Sequence, residues 1–476
     1  RVGFRVPPDG QPLIDTLRSS LAYMLLSRAG PILRPGTRSY ARAWIRDGAM
    51  IGEALLRLGH PDVASDFLRW YAPFQFASGK VPCCVERGAV PVPENDSHGE
   101  LIHLAAEIAR YTHDRDQLAS VWPHVQSAAR YLDELRRSER TAANQTPERR
   151  AQYGLLPPTI SHEGYSVRPA YSYWDDFWGL VGLRDAVWIA GQLGEDATAL
   201  AAQRDEFTRD LIASIAASVA DHRINYIPGA AELGDFDATS TTIALSPGGA
   251  QHLLPAPLLD ATFERAWQAL LDRRPGGRPW TAYTPYELRL VDAFVRLGWR
   301  ERANDALAMY LADRRPAAWN QWAEVVGRDL REPRFVGDMP HAWVHSDYAR
   351  SVLDMFAHER DDGAWVLAAG VPASWLTGDG RAAGHAGFAI DRLPTPFGPL
   401  SYSVAATARA ITLRVDGGAL PAGGLALPWP LRTPPGATSI NGKPARWRGA
   451  ELPITERPAT IVIAVIAKDA KESQSP

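Results

Sequence analysis

Tyr173-Trp174-Asp175-Asp176 opens a helical pattern, Trp178–Leu193, that Gly194 stops. Five more segments of this character stand where a helix would begin: Trp44-Ile45-Arg46-Asp47, Glu94-Asn95-Asp96-Ser97-His98, Gly234-Asp235-Phe236-Asp237, Tyr283-Thr284-Pro285-Tyr286-Glu287 and Met339-Pro340-His341-Ala342-Trp343. Between successive members there is room for one plain helix. Helices with carboxylates and aromatics at their starts, alternating with plain ones, predict a ring whose chemistry gathers at one end.

The intervening apolar periodicity supplies those helices. Patterns run over Pro12–Arg28, Ile45–Leu58, Ala64–Tyr71, Leu101–Tyr111, Leu118–Leu135, Trp178–Leu193, Ala197–Val219, Ser240–Ala244, Leu258–Asp272, Tyr286–Leu297, Arg300–Asp313 and Ser346–His358. This predicts a mainly α chain, a double ring of about twelve helices in antiparallel pairs. After Arg360 the helical periodicity stops, and β-branched runs such as Ala410–Val415 and Ala459–Val465 alternate with the turn signals Gly417-Gly418, Gly423-Gly424 and Asn441-Gly442. The expected organisation is a helical domain over 1–360, a small β-sandwich over 361–467 and a disordered tail over 468–476.

Composition narrows the function. With 476 residues, 46% hydrophobic and 22% charged, the chain is globular and too long for one ordinary core. A net charge of −3 gives no reason to expect nucleic acid or an anionic membrane surface, and no apolar run reaches the ~18 residues of a membrane span. The only cysteines, Cys83 and Cys84, are adjacent, which excludes a disulfide framework. His98, His162, His341 and His345 match no ligand spacing, so no metal is expected. No G-x-G-x-x-G, P-loop or G-x-S-x-G segment is present, which removes nucleotide and serine-hydrolase readings. No cofactor is expected. The start at Arg1, without Met or a leader-like segment, reads as a processed or truncated part of a longer polypeptide, with a periplasmic or secreted location favoured over a cytoplasmic one.

Sixteen Trp are the unusual count, and their flat apolar faces with one N–H suit sugar rings. Cleaving a glycosidic bond needs a proton donor and a second carboxylate across the ring. Asp175 and Asp176 are the acid candidates, although aspartates at a helix start also serve as caps. Glu324, in Trp319-Asn320-Gln321-Trp322-Ala323-Glu324-Val325-Val326, is the candidate base; it also reads as a loop Glu beside packing Trp. Glu163, in the loop before Trp174, is a further carboxylate in reach. Arg46-Asp47 reads either as a grip on sugar hydroxyls or as an ion pair between helix starts.

At these residues the chain resembles the six-hairpin glycosidase clan, especially glucoamylase-like and trehalase-like inverting hydrolases, over about residues 10–358. Ala43-Trp44-Ile45-Arg46-Asp47 looks like the clan's aromatic-x-Arg-Asp segment at the pocket floor. Trp174-Asp175 looks like its Trp–acid step, with Asp where glucoamylases carry Glu. Trp322-Ala323-Glu324 and Trp343-Val344-His345-Ser346 look like the base segment and the opening of the last helix. Ala373-Ser374-Trp375-Leu376 and Pro394-Thr395-Pro396-Phe397-Gly398 resemble the β-domain of rhamnosidase-like relatives, and motif order is closest to a bacterial branch of the clan.

The resemblance implies an (α/α)6 barrel and an exo-acting, inverting glycoside hydrolase of oligo- or polysaccharides. Asp175 would be the acid and Glu324 the base. Trp44, Arg46, Asp47, Asp96, Trp174, Asp176, Asp237, Glu287, Trp322, His341 and Trp343 would line the sugar site. A glycoside phosphorylase with an anion site at Arg328 or His341, a non-catalytic sugar-binding protein and a polysaccharide lyase stand as alternatives.

Overall fold

The computed structural model describes residues 2–38, 40, 42–162, 164–329, 338–377, 387–407 and 409–465. Glu163 and the tail 468–476 lie outside them. Among the described residues, twelve helices precede the β-region: α1 (Gln11–Leu26), α2 (Ile45–Arg57), α3 (Pro61–Tyr71), α4 (Asp96–Thr112), α5 (Arg115–Ser138), α6 (Tyr173–Leu193), α7 (Thr198–His222), α8 (Ala238–Leu245), α9 (Ala256–Leu271), α10 (Arg289–Arg296), α11 (Arg300–Ala312) and α12 (Ala342–Phe356). Contacts run α2 to α4, α6, α8, α10, α12 and back to α2, which closes an inner ring. The odd-numbered helices pack outside it. The fold is an (α/α)6 barrel.

Amphipathicity separates the two layers. α5 and α7 bury one stripe each, whereas every residue of α2 and of α12 is buried. Several of the buried charges on the inner helices pair with one another. Glu53 meets Arg350 at 2.8 Å, Asp354 meets Arg57 at 2.5 Å and Arg296 at 2.6 Å, and Asp185 meets His103 at 2.7 Å and Arg110 at 2.6 Å. Gly99 and Gly182 let α4 and α6 touch backbone to backbone: a Cβ on Gly99 would collide with the Trp178 carbonyl, and one on Gly182 with Gly99.

The inner helix starts carry the recurrent segments, so those segments share one rim. Several helices depart from the sequence reading: α4, α6 and α12 begin at Asp96, Tyr173 and Ala342 rather than at Leu101, Trp178 and Ser346, so the recurrent segments lie in their first turns. A 3-10 turn, Pro285–Leu288, precedes α10, and α12 ends at Phe356 because Ala357–Glu359 becomes a strand paired with Trp365–Leu367.

The β-region forms two sheets. The larger orders Gly3–Arg5, Gly387–Leu393, Leu400–Ala406, Ala410–Val415, Ala459–Ala464, Thr438–Ile440 and Lys443–Pro444. The smaller orders Glu451–Ile454, Leu425–Pro428, Trp365–Leu367 and Ala357–Glu359. Alternate residues such as Phe388, Ile390, Tyr402, Val404, Ile411, Leu413, Ile461 and Ile463 are buried, the period-two pattern of a sandwich. Asn441-Gly442, both at positive φ, turns the hairpin between Thr438–Ile440 and Lys443–Pro444. The strand Gly3–Arg5 pairs with Ala389–Asp391, so the chain's first strand belongs to this sheet and not to the ring.

Candidate active site

The loop before α2 enters the rim through Ala43–Trp44, a two-residue strand held against Cys84–Val85. Trp44 is thereby set on the pocket wall, with Arg46 and Asp47 in the first turn of α2. From the other side, Tyr286 on the 3-10 turn, Glu324 on its loop, and His341 and Trp343 at the start of α12 converge on the same cavity, with Pro35, Tyr40 and His162 completing it. Asp47 and Glu324 are its two carboxylates among the described residues.

Glu324 is held by phenols. The Tyr40 hydroxyl lies 2.6 Å from each of its oxygens, and the Tyr286 hydroxyl donates to Oε1 at 3.1 Å. His341 Nε2 lies 4.0 Å from Oε1. Burial pushes the His341 imidazole down to about 3, so it is neutral at ordinary pH. Tyr286 stacks on Trp343 with centroids 4.0 Å apart, and Tyr40 sets its edge against both Trp44 and His341. The arrangement is a carboxylate in an aromatic well.

Arg46 ties helix starts together. Its guanidinium contacts Glu94 at 2.7 Å and Asp96 at 3.0 Å, and the Trp174 indole N–H donates to Asp96 at 2.9 Å. Asp96 is fully buried by this and does not line the cavity. Asp237 caps α8 through Thr239 N at 2.9 Å, accepts from the Ser240 hydroxyl, and meets His162 Nε2 at 3.3 Å. Burial opposes its charge, but the His162 contact prevails and holds the carboxyl at about 2.

Several residues expected in the sugar site are absent from the cavity wall. Asp175 is buried, its Oδ2 accepting from Thr159 Oγ1 at 2.5 Å and its Oδ1 from Ser161 Oγ at 2.8 Å. Burial, reinforced by Asp96, raises its carboxyl well above the usual carboxylate range. Asp176 turns away and accepts from Leu156 N at 2.9 Å. Glu287 points toward the outer layer and pairs with Arg273 at 2.7 Å. Trp174 and Trp322 are completely buried, the latter donating to the Tyr310 carbonyl at 2.7 Å. Each is consumed by a neighbour that sequence spacing does not reveal.

Conversely, Tyr40 and Tyr286 were not singled out by the sequence reading. Tyr286 stands beside Glu287 in a quoted segment, where the carboxylate drew the attention. Tyr40 precedes Trp44 by four residues in a loop without periodicity. No group of three or more metal-type ligands occurs among the described residues. No described helix is long and apolar enough to cross a membrane.

No protein-family model matches the chain, and no curated protein is similar to it in sequence. Solved structures are similar in fold. An α-L-rhamnosidase from Dictyoglumus thermophilum superposes with a TM-score of 0.63 at 12% identity, over 97% of this chain and 50% of that one. The GH78 family rhamnosidase of Bacillus sp. GL1 gives 0.59 at 15% identity, over 85% and 40%. The Streptomyces avermitilis α-L-rhamnosidase complexed with L-rhamnose gives 0.58 at 17% identity, over 98% and 42%. The chain thus spans half or less of the length of these three rhamnosidases. At such identities the likeness establishes the fold alone, an (α/α)6 barrel with an attached β-domain.

Proposed function

We propose that this chain is a glycoside hydrolase that removes a terminal sugar from an oligo- or polysaccharide with inversion, in a periplasmic or secreted setting. The observation that carries this reading is Glu324, set in an aromatic well by the hydroxyls of Tyr40 and Tyr286. Trp44 and Trp343 line the cavity with apolar surface for a sugar ring, and Asp47 offers a carboxylate to its hydroxyls.

In the reaction, Glu324 takes a proton from water as its oxygen attacks the anomeric carbon. The bond to the leaving oxygen breaks, and that oxygen takes a proton from an acid on the other side. Two carboxyls meet different requirements for that acid. Burial raises the Asp175 carboxyl well above the usual carboxylate range, the direction a proton donor needs, but it reaches the substrate only if the Thr159–Ser161 loop releases it. Asp47 has access. We assign donation to Asp175 and hydroxyl binding to Asp47.

Hydrolysis is favoured over phosphorolysis. Among the described lining residues Arg46 is the one guanidinium and is engaged by Glu94 and Asp96, His341 is neutral, and Arg328 is exposed outside the cavity. The similar rhamnosidases make aryl α-L-rhamnosides the first substrates to test, within a wider panel of aryl glycosides. Following the first-formed anomer by NMR decides the stereochemistry; a product of retained configuration would refute inversion.

A further inference from the structure

The barrel has a second opening. At the rim opposite Glu324, the C-terminal ends of all six inner helices and the β-region lip around Trp365 and Pro396 enclose a cavity of about 410 Å³. That is within the ~300–1,000 Å³ of ordinary ligand sites, whereas the rim cavity at Glu324 measures about 60 Å³. A neighbouring hollow of about 400 Å³ shares Arg110, Trp188, Glu359 and Pro396 with it. The two form one groove bent around Trp188.

The lining selects the ligand. Five arginines and the His103 imidazolium face five carboxylates along the larger cavity, a near balance that disfavours a strongly anionic or cationic guest. The density of charge disfavours an apolar one. Half-buried Trp188, with the Arg110 guanidinium over one face at 4.5 Å, offers an aromatic platform amid ion-paired arginines and carboxylates, whose remaining N–H groups and lone pairs suit hydroxyls better than a further charge. We propose that this groove binds a linear neutral oligosaccharide, as a site separate from the pocket at Glu324. The binding does not depend on the hydrolase reading.

The test uses the full chain on an array of neutral and acidic oligosaccharides of two to eight units, with wild type, Glu324→Gln, Trp188→Ala and Gln192→Arg. Gln192 lies exposed on the groove wall, so its longer replacement obstructs the groove even if Trp188→Ala fails to fold. Neutral chains should be retained by wild type and Glu324→Gln, and at least tenfold more weakly by the two groove variants. Those variants should cleave small aryl glycosides at the wild-type rate if the hydrolase reading holds. Undiminished binding by Gln192→Arg, binding of acidic chains alone, or no binding by wild type would overturn the groove proposal. A chain that binds but cleaves no glycoside would overturn the hydrolase reading alone.

Discussion

The hydroxyl of Tyr40 donates to the carboxylate of Glu324 at 2.6 Å across 284 residues of chain. It joins the loop before the first inner helix to the loop before the last. A hydrogen bond to a charged group is worth about 1.5–3 kcal/mol, which corresponds to roughly 10- to 100-fold in rate if it orients the group in the transition state. Tyr40→Phe should lower kcat by that factor with KM little changed. An unchanged kcat would mean that Tyr286 alone suffices to orient Glu324.

Glu324→Gln should lower kcat by ~10²–10⁴ at nearly constant KM, since size and hydrogen bonding are kept while the proton acceptor is lost. Asp47→Asn should raise KM as well, because a grip on hydroxyls acts in ground and transition states alike. Steady-state kinetics on one aryl glycoside separates the two. A fully active Glu324→Gln would remove the base from the scheme.

Asp175→Asn is decided by the leaving group. A lost proton donor should slow substrates with sugar or alkyl leaving groups by ~10²–10⁴ and spare nitrophenolate, which departs without help. Equal slowing of both, together with a lowered melting temperature, would make Asp175 a structural acceptor for Thr159 and Ser161 and pass donation to Asp47.

His103 predicts an alkaline loss of stability. Burial opposes its charge, but the hydrogen bond to Asp185 and the Glu53 carboxylate 3.9 Å from Nε2 prevail and hold the imidazolium to about 9, above its ordinary 6.5. A raised pKa contributes stability fully below pH 6.5 and loses it as pH rises through 9; here the amount is about 3 kcal/mol. Denaturant midpoints should fall over that window in the wild type and stay flatter in His103→Asn. Parallel profiles would show that the imidazolium contributes nothing.

The helical pattern was readable because burial imprints periodicity. Ile45–Leu58 was expected and Ile45–Arg57 is observed; Arg300–Asp313 was expected and Arg300–Ala312 is observed. The strands Ala410–Val415 and Ala459–Ala464 lie where the β-branched runs placed them, and they pair with each other. Misplaced boundaries fall where tertiary contact overrides local preference, as when Ala357–Glu359 leaves the last helix to pair with Trp365–Leu367.

By itself, then, the sequence determined the ring, the sandwich and the rim at which carboxylates gather, since each follows from local spacing. Only the tertiary structure decided which carboxylates face the cavity. Asp96 is taken by Arg46 and Trp174, Glu287 by Arg273, and Asp175 by Thr159 and Ser161, while Glu324 meets Tyr40 and Tyr286 in the cavity. A side chain's partner is set by three-dimensional approach between distant segments, and helical period carries no trace of it.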